Sequence, residues 1–168
     1  VDEFWQLYLD AAGFPASIFG VVLLLFTLLR MVGASLGARF AAKWRVDGLL
    51  LVLSAVLTAA LIWAAAAKSL LGLAAMMLSC ATSETMQVIA TGYLHRRADD
   101  AARATIESLA SMMERVSVIG MGLLFAAVAE RHQIFAAFGA LATVAVLLTG
   151  LFVLLHIRRG RKDTRGAV

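Results

Sequence analysis

Five runs of apolar residues follow one another through the chain, near 16–36, 49–67, 70–89, 110–129 and 135–155. Each is about 20 residues long, the length an α-helix needs to cross a hydrocarbon core of roughly 30 Å. The pattern predicts an all-α chain of five membrane-spanning helices over 16–38, 47–67, 69–94, 104–129 and 133–157. Residues 1–15 are expected to form an outer-face segment or the stub of a preceding helix, with Trp5 and Tyr8 at the membrane interface. Residues 158–168 form a basic tail, and the whole is expected to be one transmembrane domain.

The polar positions divide these spans into three kinds. The second and fifth carry no charge between 49 and 67 or between 135 and 155, and helices apolar all round can face lipid over most of their surface. The third crowds Ser79, Cys80, Thr82, Ser83, Glu84, Thr85, Gln87 and Thr91 into its second half. Of these, Cys80, Glu84, Gln87 and Thr91 follow i, i+4, i+7, i+11 spacing, which aligns them along one face of a helix. Lipid cannot satisfy such a stripe, so this span is expected inside the bundle. The first and fourth spans are intermediate. The first has Arg30 and then Gly33-Ala-Ser-Leu-Gly37, a small-xxx-small pattern that permits close helix approach. The fourth has Glu114 and Arg115, with Arg103, Glu107, Glu114 and Ser117 on a common face.

At a rise of 1.5 Å per residue, Arg30, Glu84 and the Glu114–Arg115 pair each lie roughly 7 Å in from the same side of the membrane. Isolated charges at that depth are expensive. Arg30, Glu84 and Glu114 are therefore expected to form an inter-helix charge network, with Arg115 in or near it. Both arginines also have stems long enough to snorkel to the headgroups.

Charge placement adds orientation. Arg39, Lys43 and Arg45 fill the first gap between spans, and Lys68 alone lies in the second. Arg96, Arg97 and Arg103 fill the third, Arg131 stands in the fourth, and five basic residues follow the last span. Arginine- and lysine-rich loops stay cytoplasmic, so the N-terminus is expected outside and the C-terminus inside. An odd span count with an outside start is expected of a piece of a longer protein.

Composition agrees: 62% of residues are hydrophobic and 15% charged, against about 25% charged in soluble domains. The net charge of +4 does not point to nucleic acid, because the basic residues cluster at span ends rather than on one face. One cysteine, Cys80, allows no internal disulfide. His95, His132 and His156 have no second ligand at metal-binding spacing, and no nucleophile–base grouping or phosphate loop occurs. Neither enzymatic activity nor a metal or cofactor is expected.

Several segments carry a resemblance. Tyr93-Leu-His-Arg-Arg97 followed by Arg103-Ala-Thr-Ile-Glu-Ser-Leu109 resembles the junction of the tenth and eleventh helices of bacterial major facilitator superfamily transporters. Glu3-Phe-Trp-Gln-Leu-Tyr-Leu and Gly13-Phe-Pro15 resemble the outer end of the seventh helix and the loop after it. Gly37-Ala-Arg39-Phe-Ala-Ala-Lys43-Trp-Arg45 is similar to the family's glycine-and-basic loop motif, with Ala41 where that motif usually has an acid.

The resemblance implies helices eight to twelve of a C-terminal six-helix bundle, in a bacterial inner-membrane protein that moves a small molecule by alternating access, coupled to protons. Its implied partners are the bilayer, a small-molecule substrate and the N-terminal helices of the same transporter. Glu84 would then be the proton- or cation-responsive group, and Cys80, Gln87 and Thr91 would line the path. Arg30 and Glu114 would form inter-helix pairs that differ between states. Gly37, Arg39, Lys43, Arg45 and Arg103 would belong to cytoplasmic loop motifs. The alternative is a non-transporting membrane scaffold or accessory subunit, or a truncated remnant, derived from a half-transporter.

Overall fold

The computed structural model describes the backbone of residues 4–97 and 100–165, and side chains within 4–96 and 104–158. The elements are α1 (Trp5–Ala11), a 3-10 turn (Ala16–Ile18), α2 (Phe19–Lys43), α3 (Val46–Ala66), α4 (Leu70–Arg97), α5 (Asp100–Arg131) and α6 (Ile134–Arg165). Five helical stretches, Ala16–Lys43, Val46–Ala66, Leu70–Arg96, Ala104–Arg131 and Ile134–Arg158, are long and apolar enough to cross a membrane. They coincide with the five expected spans, and at the arginine-rich end the helices run past the apolar residues into the charged ones. The basic tail continues α6 as helix to Arg165.

Short connections make neighbouring helices antiparallel. At one end of the bundle, which we call the hairpin end, α3 turns into α4 through 67–69, with Ser69 N–H donating to the Ala67 carbonyl at 2.9 Å. At the same end α5 passes into α6 through His132 and Gln133. The opposite, basic end holds the link from α2 to α3, which is only Trp44 and Arg45, both in extended backbone.

Side by side, α2 packs on α4, α4 on α3, α3 on α6 and α6 on α5. The row bends around α1, which touches α4 and α6. Helix α1 ends in a Schellman turn: Phe14 N–H donates to the Leu9 carbonyl and Gly13 N–H to that of Asp10, both at 3.0 Å. Gly13 takes the left-handed conformation (φ 78°) that this turn requires, and Pro15 prevents continuation.

In the N-terminal segment the rings of Trp5 and Tyr8 turn into the bundle rather than out of it: Trp5 is 7% exposed, and Tyr8 and Leu9 are fully buried. Seven residues of α1 supply the aromatic centre of the core, because three large side chains on one short helix fill the space inside the bend. Phe4 stacks on Phe125 of α5 at 4.1 Å, and Tyr8 meets the edges of Phe135 and Phe138 of α6, each at 5.5 Å. Trp5 reaches Phe26 of α2 at 5.7 Å. The Tyr8 hydroxyl donates to the Ala67 carbonyl in the α3–α4 turn, tying the core to that hairpin. Burial pushes the Tyr8 phenol above its ordinary pKa, opposed by the Ser69 carbonyl contact.

The core is therefore concentrated at the hairpin end. Towards the basic end α5 contributes nothing to it: from Ala104 to Gly120 no residue is buried.

Candidate functional site

Helix α4 has two polar faces, and they do different things. Ser79, Thr82 and Thr85 are buried, and each hydroxyl donates to a carbonyl of its own helix: Ser79 to Met76, Thr82 to Leu78 and Thr85 to Ala81, at 2.7–2.8 Å. Thr85 also donates to the Gly33 carbonyl of α2 at 2.9 Å. That contact requires near-touching backbones. A Cβ added to Gly33 would collide with the Ala81 carbonyl oxygen, and one added to Gly37 would lie 2.9 Å from that of Thr85. The small-xxx-small pattern of α2 is thus the surface on which α4 sits.

Gly37 lies within α2 as the first expected span has it, packed against Thr85 and Val88. Arg39 and Lys43, expected in the gap between the first two spans, also lie within α2, because nothing between Gly37 and Lys43 breaks a helix. Arg45 is the N-cap of α3. Arg103 lies in α5, with its side chain outside the described residues.

The stripe Cys80, Glu84, Gln87, Thr91 winds from the core to the exposed side of α4. Cys80 is 1% exposed and belongs to the aromatic-centred core. Glu84 is partly covered, and Gln87 and Thr91 are exposed. The Arg30 guanidinium of α2 closes on Glu84: its Nε donates to Oε1 at 2.7 Å, and its terminal nitrogen contacts the same oxygen. The Glu84 side chain is 17% exposed against 46% for Arg30, so the carboxylate is sheltered and the arginine stem lies over it.

Glu114 takes a different partner from the expected one. It does not pair with Arg30; its Oε1 accepts from Gln87 Nε2 at 3.0 Å. The reason is the order of the helices: α4 stands beside α2, while α5 lies at the far end of the row beside α6. Arg30 therefore meets the carboxylate on α4 first. Arg115, one residue further on, turns about 100° round a helix of 3.6 residues per turn and has no ion pair among the described residues.

A second bridge joins the same two helices nearer the basic end, where His95 Nδ1 lies 3.0 Å from Glu107 Oε1. Sequence reasoning set Glu107 on the Glu114 face but gave it no partner. Gln87, Thr91 and His95 recur every four residues on α4, and Glu107, Ser111 and Glu114 share a face of α5. Two polar faces thus oppose each other below the aromatic core, joined by an amide–carboxylate bond and a histidine–carboxylate bond. Repeating the spacing test on α5 from Glu107 would have marked Ser111 as well. Among the described residues no group of three or more His, Cys, Asp or Glu is placed to hold a metal ion.

Five helices long and apolar enough to span a bilayer, in a chain whose described residues form no strand, define a multi-pass, all-helical membrane protein. Comparison with protein-family models, curated proteins and solved structures finds no match.

Proposed function

We propose that this chain is the C-terminal portion of a secondary active transporter of the major facilitator type, moving a small molecule across a bacterial inner membrane by alternating access with proton coupling. The observation that carries this is the Gln87–Glu114 bridge and the polar faces around it, in a chain whose other spans expose apolar surface. A membrane protein keeps ionisable side chains at such depth at a cost of several kcal/mol, and they characteristically mark ion or substrate pathways.

In this reading the basic end is cytoplasmic. The aromatic cluster of Phe4, Trp5 and Phe125 seals the outer side, and solute enters between α4 and α5 from the cytoplasm. Glu84 and Arg30 form a state-dependent pair between α2 and α4. Glu114, whose observed partner is a neutral amide, is the acid that meets a proton or a cationic solute first. Gln87 and Thr91 line the path, with Cys80 at its deep end. The N-terminal helices of the transporter supply the facing wall.

The test is thiol accessibility in membrane vesicles carrying the protein. With Cys80 replaced by Ser, single cysteines at Thr91 and Ser111 should react with a membrane-impermeant thiol reagent, while one at the apolar, exposed Leu147 should not. Imposing a proton gradient should change the rate at Thr91 and Ser111 several-fold. Labelling that ignores the gradient, or that is equal at Leu147, would sink the proposal; a scaffold gives the first result.

A further inference from the structure

A groove of about 380 Å³ runs between α3 and α6 on the side of the bundle away from the polar faces. Its floor is made by small residues, Ala65 and Ala66 of α3 with Gly139 and Ala142 of α6. Phe135 lines it nearest the hairpin end of α6 and Val146 furthest from that end. Just below, α3 and α6 come together through the Thr58–Thr149 hydroxyl pair at 2.9 Å, which ends the groove. Nothing lies within 4 Å of the position a Gly139 Cβ would take, so the groove is open space at its centre.

Two features identify what fits. The first is length. From Phe135 to Val146 is eleven residues, or about 16 Å along α6 at 1.5 Å per residue. One leaflet of a bilayer has a hydrocarbon depth of about 15 Å, half of the roughly 30 Å core. The groove begins at the hairpin end of α6, where a leaflet's headgroups lie, and stops at about mid-membrane. The second is charge. Lys68 stands in the α3–α4 turn with its Nζ 4.9 Å from the centre of the Phe135 ring. A cation is therefore held at the hairpin end of the groove, over the aromatic ring that lines it there.

From these we infer that the α3–α6 groove is a binding site for a phospholipid, one acyl chain lying on the small-residue floor and the phosphate paired with Lys68. An ammonium at the membrane surface attracts phosphate, and its four-carbon stem lets it stay at headgroup level while covering apolar surface. The site is on a different face from Glu84 and Glu114 and does not depend on how those residues are used.

Native mass spectrometry of the detergent-solubilised full chain tests this, with added phosphatidylglycerol, phosphatidylethanolamine and diacylglycerol as the three probes. Wild type should retain one phospholipid of either headgroup. Lys68→Gln should weaken phospholipid retention about five-fold, the equivalent of about 1 kcal/mol for one lysine near the surface, and leave diacylglycerol unchanged. Gly139→Leu, which projects into the open centre, should weaken all three lipids at least ten-fold with an unchanged unfolding temperature. Thr143→Phe, from the exposed wall, serves as the second filling variant. Retention by both filling variants equal to wild type, or a Lys68→Gln loss shared equally by diacylglycerol, overturns the proposal. So does a wild-type dimer that carries no lipid.

Discussion

Replacing Gly33 by alanine places a methyl group into the Ala81 carbonyl oxygen, a backbone atom that cannot rotate away. Either α2 and α4 separate or their crossing shifts, and both movements lengthen the bond from Thr85 to the Gly33 carbonyl. Overpacking of this kind costs about 1–3 kcal/mol. A hydrogen bond between membrane helices adds about 0.6 kcal/mol. Against these, a helical Gly→Ala change returns about 0.5–1 kcal/mol of backbone entropy. The net expectation is a loss of about 1–3 kcal/mol, or a fall in unfolding temperature of roughly 2–12 °C for a chain of this size. Gly120→Ala is the control. It lies mid-helix in α5 with nothing within 4 Å of its Cβ position, so only the entropy gain remains and its temperature should hold or rise.

The protein carries its own probe for this experiment. Cys80 is its single cysteine and is 1% exposed, so a thiol-reactive dye that fluoresces on reaction reports its exposure on heating in detergent. The close approach of α2 and α4 is refuted if Gly33→Ala unfolds at the wild-type temperature. It is equally refuted if Gly120→Ala falls by as much as Gly33→Ala.

Two further experiments examine other joints. A double-mutant cycle of Arg30→Gln and Glu84→Gln should show a coupling of about 0.5–3 kcal/mol by reversible unfolding in mixed detergent. The corresponding cycle of Arg30 with Glu114 should show much less, and equal couplings would contradict the pairing described. Tyr8→Phe keeps the ring against Phe135 and Phe138 but leaves the Ala67 carbonyl without its hydroxyl donor, at about 1 kcal/mol. Tyr8→Ala removes the ring as well and should cost about 3–5 kcal/mol. If the two variants melt together, α1 is not the centre of the core.

Much of this architecture was legible in the residue pattern, for a definite reason. A backbone buried in hydrocarbon must satisfy its own hydrogen bonds, so an apolar run of membrane length forms a helix whatever its neighbours do. That rule located all five spans, and the 3.6-residue period placed Cys80, Glu84, Gln87 and Thr91 on one winding face. It also set Gly33 and Gly37 one turn apart, although only the contact with Ala81 and Thr85 shows what that spacing holds. The sequence did not separate Thr85 from Glu84. One is a hydroxyl closed onto its own helix and onto α2, the other a carboxylate drawn to an arginine, and adjacent positions gave no sign of the difference.

What the sequence determined by itself is therefore one-dimensional: which segments are helices, where they turn, and which residues share a face. The order in which helices stand side by side is not written in any one of them. The tertiary structure set α4 between α2 and α3 and left α5 beside α6. That arrangement gave Arg30 to Glu84 and left Glu114 to the amide of Gln87. It also drew Trp5 and Tyr8 from a segment with no apolar run of membrane length into the centre of the core. A short helix is stabilised mainly by the tertiary surface it fills, and that surface exists only once the longer helices have packed around it.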